Sequence, residues 1–125
     1  MTKILLVEDN EMNRDMLARR LERKGYEVTC AVDGPEGIAK AVSQAPDIIL
    51  MDVALGDMDG WEATAAIRRN PATSKIPVIA LTAHASREDQ AKARAAGCDD
   101  FLTKPVDRDQ LIAAIARHLA GRIHA

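Results

Sequence analysis

Two adjacent acids, Glu8 and Asp9, close an apolar run near the start of the chain, and a third acid, Asp52, closes another. Thr82 ends a third such run, and Lys104, followed by Pro105, ends a fourth. Three carboxylates brought together repel one another unless a cation joins them or some stay protonated. A hard divalent ion with oxygen ligands, Mg²⁺ above all, suits such a set, with Mn²⁺ able to substitute. Mg²⁺ keeps water and binds phosphate oxygens. A carboxylate beside it, with a lysine to offset charge and a hydroxyl to meet a phosphoryl oxygen, is equipped to accept a phosphoryl group as an aspartyl-phosphate. None of these residues is diagnostic alone. Their shared position at the ends of apolar runs is the signal.

The chemistry requires elements that bring those ends to one place. Ile4–Val7, Val28–Val32, Ile48–Met51, Val78–Leu81 and Phe101–Thr103 read as five strands. The first, third and fourth are continuous apolar runs, as parallel strands buried on both faces should be, while the second and fifth are mixed, as edge strands are. Helical patterns fill the gaps. Met12, Met16, Leu17 and Leu21 form the stripe expected of the first helix, which Gly25 closes. Ile38, Ala41, Val42 and Ala45 form that of the second, bounded by Pro35 and Pro46. Leu111, Ile112, Ile115 and Leu119 form that of the last. Ser86 to Ala96 is helical by propensity, but its apolar face is almost all alanine and should dock weakly. Strands alternating with helices make a doubly wound α/β fold, a five-stranded parallel sheet with five helices on both faces. Ligands of such sheets sit beyond the carboxyl ends of the strands, where strand order reverses. That is where the acids, Thr82 and Lys104 fall.

Composition narrows the partners. A chain of 125 residues holds one core and no second domain of ordinary size. Its net charge of −2 opposes nonspecific binding to nucleic acid, and Tyr26, Trp61 and Phe101, its only aromatics, give little to stack on bases or a flavin. Apolar stretches of only about five residues argue against a membrane-spanning helix, and the strand-like run that follows Met1-Thr2-Lys3 at once leads to the expectation of no signal peptide. Cys30 and Cys98 lack metal or redox spacing and read as buried thiols in a reducing cytoplasm. His84, His118 and His124 share no ligand spacing and read as exposed.

The same residues carry a family likeness. Val7-Glu8-Asp9-Asn10, Leu50-Met51-Asp52 with Met58-Asp59-Gly60, Leu81-Thr82-Ala83 and Asp99-Asp100-Phe101-Leu102-Thr103-Lys104-Pro105 together resemble the receiver domains of two-component response regulators, roughly from Lys3 to Leu119. The resemblance implies strand order 2-1-3-4-5, as in CheY-like and DivK-like single-domain regulators. It implies Asp52 as phospho-acceptor, an acidic pocket of Glu8 and Asp9, and Mg²⁺ held there with Asp52 and the backbone carbonyl of Ala54. Thr82 takes the switch-hydroxyl role, Phe101 the switch aromatic and Lys104 the phosphate-sensing role, with a cis bond to Pro105. The implied partners are a histidine kinase or phosphotransfer protein as donor and a downstream protein target, met on the surface of the fourth helix, fifth strand and fifth helix. Residues 1–121 then form the receiver, 122–125 a short tail, and no output domain follows. The chain would be a cytoplasmic monomer or weak dimer, a phospho-acceptor that assists its own modification rather than a turnover enzyme.

Two departures from the family pattern bear on rate. Gly56 stands where proline is usual, which loosens the loop after Asp52. Ala54 and His84 occupy variable positions that bear on loss of the phosphoryl group. Plainer readings exist for single residues: Thr82 as a helix N-cap, Phe101 as core, and Asp57 and Asp59 as loop-shaping and capping acids. Other functions fit the topology or chemistry as well. A flavodoxin-type carrier needs a phosphate loop where this chain has Glu8-Asp9-Asn10-Glu11. An aspartate-nucleophile phosphatase needs an acid where it has Ala54.

Overall fold

The computed structural model describes residues 2–55, 58–84 and 86–123. Strands and helices alternate: β1 (Lys3–Val7), α1 (Glu11–Arg23), β2 (Glu27–Ala31), α2 (Gly34–Gln44), β3 (Ile48–Asp52), α3 (Gly60–Arg69), β4 (Val78–Thr82), α4 (Arg87–Ala96), β5 (Asp100–Thr103) and α5 (Arg108–Ile123). The strands form one parallel sheet in the order β2-β1-β3-β4-β5. The order reverses between β1 and β3, so their carboxyl ends flank the crevice that this topology offers to ligands.

Every residue of β3 and β4 is buried, which explains their unbroken apolar runs. Alternation splits the core in two. Ile4, Leu6, Ile48 and Leu50 pack with Leu17 and Leu21 of α1 and Leu111 and Ile115 of α5. Leu5, Val7, Ile49 and Met51 pack on the other face with Ala41 of α2 and Ala63 and Ile67 of α3. Each fully buried Leu or Ile contributes about 1.5–3 kcal/mol relative to an exposed one.

The helices start on side-chain caps that the sequence supplies. Asn10, Asp33, Asp59 and Ser86 accept hydrogen bonds from the backbone N–H groups of Asn13, Glu36, Glu62 and Asp89, at 2.9, 2.8, 2.9 and 3.1 Å. Asp59 thus has its expected capping role, and Ser86 rather than Thr82 caps α4. Gly25 and Gly97 take positive φ, 92° and 99°, where α1 and α4 end.

Several expectations need correction. Met12 is 78% exposed and Met16 45%, so α1 docks through Leu17, Leu21 and half-buried Ala18 instead. In α2 Val42 is exposed and Ala45 is the left-handed C-cap, while Gly34, Gly37 and Ala41 form the buried face. A Cβ on Gly37 would lie 2.9 Å from Val7 Cγ2, so close approach to β1 requires glycine there. Val32 lies outside β2 and is exposed. Arg122 and Ile123 belong to α5 rather than to a tail. Cys30 and Cys98 are half-buried. His118 is not free: its Nε2 lies 3.1 Å from Asp100 Oδ2, and Arg117 pairs with the same carboxylate. His84 is exposed. Gly56, Asp57 and His124 lie outside the described residues. The alanine face of α4 does dock lightly, with Ala93 its one buried residue. No helix among the described residues is long and apolar enough to cross a membrane.

Candidate functional site

Strand register places the site residues. Val7 pairs with Met51 and Asp52 with Leu81, so Glu8, one step past β1, stands level with Asp52. Thr82 pairs with Thr103, so Lys104 follows one step beyond. The Lys104 backbone N–H donates to the Thr82 carbonyl at 2.7 Å, and the Lys104–Pro105 peptide is cis.

Oxygens of Glu8, Asp9 and Asp52 all lie within 4.8 Å of one another. Glu8 and Asp52 are buried, at 1% and 2% exposure, while Asp9 is open to solvent. Lys104 Nζ lies 2.8 Å from Asp52 Oδ2 and 3.8 Å from Glu8 Oε1. The Ala54 N–H donates to Asp52 Oδ1 at 3.0 Å. The two buried acids respond in opposite directions. Burial, reinforced by the hydrogen bond and charge of Asp52, pushes the Glu8 carboxyl up to about 8. Burial also works upward on Asp52, but hydrogen bonds from Glu8, Lys104 and the Ala54 N–H, with the lysine charge, hold it below its ordinary value. The directions favour the proton on Glu8 and the charge on Asp52, and a charged carboxylate is the form a nucleophile needs.

The donor set suits a hard divalent cation. It is all oxygen, and among the described residues Glu8 Oε1 is buried without a hydrogen-bond partner, a costly state for a polar atom that a nearby cation would relieve.

The loop after Asp52 folds back through Gly60, whose N–H donates to the Val53 carbonyl at 3.0 Å. A Cβ at Gly60 would lie 2.4 Å from the Asp52 carbonyl oxygen and 2.7 Å from Val53 Cα. Only glycine lets the start of α3 lie against the end of β3. Trp61 follows in α3, half-buried.

Thr82 is buried. Its hydroxyl donates to the His84 carbonyl at 3.1 Å and accepts the His84 N–H at 3.2 Å, closing a turn above β4. Phe101 belongs to neither core cluster. Half-buried, it borders a cleft of about 190 Å³ between α4 and β5 that Gln90, Ala93 and Arg94 also line. It is therefore not a core residue in the ordinary sense.

Sequence spacing missed several contacts. Arg14 Nη1 donates to the Glu8 carbonyl at 3.0 Å and reaches the Asp9 carbonyl at 3.5 Å. Arg68 donates to the carbonyls of Gly97, Ser74 and Ile76 and pairs with Asp99 at 2.6 Å, tying α3 to the segments flanking β4 and to the start of β5. Asp100 anchors α5 through Arg117 and His118. The acids of Asp99-Asp100 are thus structural.

Comparison with known proteins agrees with this geometry. The response regulator receiver domain family matches residues 4–116. Protein PilH of Pseudomonas aeruginosa is 36% identical over 97% of this chain and 100% of its own length. Response regulator PleD of Caulobacter vibrioides is 41% identical over 90% of this chain, which spans only 25% of PleD. Among solved structures, the receiver domain of sensor histidine kinase PA1611 of P. aeruginosa, with a magnesium ion coordinated in its active-site cleft, superimposes with a TM-score of 0.89 at 39% identity, covering 95% of this chain and 98% of that one.

Proposed function

This chain belongs to the response regulator receiver family, and from that premise we propose that it accepts a phosphoryl group on Asp52 and signals through protein contacts. The carrying observation is the buried Asp52 carboxylate, 2.8 Å from the Lys104 ammonium and grouped with the carboxylates of Glu8 and Asp9. A phosphorylated histidine kinase or phosphotransfer protein is the donor. Asp52 Oδ attacks phosphorus, the P–O bond forms as the P–N bond to the donor histidine breaks, and the freed imidazole takes up a proton. Glu8, Asp9, Asp52 and the Ala54 backbone carbonyl are the residues that would hold Mg²⁺ or Mn²⁺. When bound, the cation supplies positive charge to the phosphoryl oxygens. Lys104 neutralises charge from the opposite side.

Transfer converts the Asp52 carboxylate into an acyl phosphate, so a charge of −1 becomes about −2 and moves outward toward Thr82. The Thr82 hydroxyl then leaves the His84 turn to donate to a phosphoryl oxygen, and the space it vacates admits Phe101. Lightly docked α4 shifts, altering the surface it shares with β5 and α5. That surface meets the downstream protein, a two-state shift driven by local charge. Residues 1–121 act as one receiver unit in the cytoplasm, as a monomer or weak dimer.

The test is a beryllofluoride titration in Mg²⁺, followed by Trp61 fluorescence, on wild type, Asp52→Ala and Thr82→Ala. The proposal expects a saturable change in wild type, none in Asp52→Ala, and binding without displacement of α4, read by hydrogen exchange, in Thr82→Ala. A full response in Asp52→Ala would refute the acceptor assignment, and an unimpaired α4 response in Thr82→Ala the switch.

A further inference from the structure

We propose that Arg14 is a positioning residue for the acidic pocket, holding the Glu8 and Asp9 backbone so that their carboxylates meet a divalent cation; this rests on the reading of that pocket as a cation site. Glu8 and Asp9 form the short link between β1 and Asn10, the N-cap of α1. Their carbonyls stand where the strand ladder has ended and the helix has not begun, so the conformation of the link depends on other donors. Arg14 supplies one. Its backbone N–H is fixed to the Asn10 carbonyl at 2.9 Å, and its guanidinium turns back to the Glu8 carbonyl at 3.0 Å and the Asp9 carbonyl at 3.5 Å. The side chain is half-buried in a groove with Ala18 and Cys30. The pocket acids thereby hang from the first turn of α1, which Leu17 and Leu21 anchor in the core, rather than from a free loop.

The acceptors distinguish this role from charge balance. Among the described residues, Arg14 donates to backbone carbonyls, whereas Lys104 pairs with the carboxylates themselves. A bystander cation near an acidic pocket only repels a metal ion, so its removal should tighten metal binding. Loss of a positioning contact should weaken it. The two accounts predict opposite signs.

The experiment is isothermal titration of metal-free protein with MgCl₂, comparing wild type with Arg14→Met and Arg14→Lys, after unfolding in EDTA has shown that each variant folds. Losing a charge-assisted hydrogen bond to the link should weaken Mg²⁺ binding about tenfold in Arg14→Met. Arg14→Lys, which keeps the charge and a donor, should recover to within about threefold of wild type. Equal or tighter binding by Arg14→Met would overturn the proposal. Absence of Mg²⁺ binding by wild type would instead overturn the cation-site reading itself. If Arg14→Met fails to fold, Arg14→Gln takes its place, and the same sign decides.

Discussion

Replacing Glu8 by glutamine removes a buried carboxyl whose proton affinity the fold raises, and this should change how stability depends on pH. The Glu8 carboxyl titrates near 8 in the folded protein against an ordinary 4.5. A group raised in this way contributes stability that is fully present below 4.5 and is lost as pH rises through about 8. At about 1.4 kcal/mol for each tenfold change in proton affinity, the full loss approaches 5 kcal/mol, a sizeable part of the 5–15 kcal/mol that holds an ordinary domain together. Glutamine keeps an N–H donor for Asp52 and cannot ionise. The assay is urea unfolding in EDTA between pH 5 and 8, read as wild type minus Glu8→Gln at each pH, which cancels titrations common to both. Wild type should lose several kcal/mol relative to the variant across that range, and Mg²⁺ at pH 8 should restore it. Parallel curves for the two proteins would refute the reasoning, because Glu8 would then ionise as freely folded as unfolded.

Three other perturbations follow from contacts at the same sheet end. Gly60→Ala should destabilise by about 2–4 kcal/mol in thermal unfolding, because its Cβ meets backbone rather than a flexible side chain. Lys104→Met should bind Mg²⁺ more tightly by calorimetry while losing the beryllofluoride response, since the ammonium 2.8 Å from Asp52 competes with a cation. Asp100→Asn should cost about 1–3 kcal/mol at neutral pH and first release α5 in hydrogen exchange. Burial works upward on Asp100, but hydrogen bonds from His118, the Phe101 N–H and Arg117 hold its carboxyl below the usual 3.8. Its stabilisation is therefore present above that value and lost as pH falls below it, so the variant should show a flatter acid limb in denaturation.

The sheet was legible because parallel strands buried on both faces must be continuously apolar, and Leu50-Met51-Asp52 states both the strand and the place where it ends. The acids, Thr82 and Lys104 were legible for the same reason, as polar residues closing such runs. Helix faces were less so. Met12 and Met16 satisfy an apolar stripe as well as Leu17 does, yet the docked face of α1 turns toward β1 and α5 and leaves them in solvent. Gly34 and Gly37 carry no hydrophobic signal, although contact with Met58 and Val7 makes them the buried face of α2. Arg68–Asp99 and Arg117–Asp100 join residues 31 and 17 positions apart. Such pairs arise only when the chain closes, as does the backbone contact of Arg14, which no spacing rule anticipates.

The most direct test of the central claim is the intact mass of the protein after incubation with acetyl phosphate and Mg²⁺, beside Asp52→Ala and an EDTA control. The account predicts the added mass of one phosphoryl group in wild type, absent from both controls. Equal modification of Asp52→Ala, or no modification of wild type with Mg²⁺ bound, would contradict it.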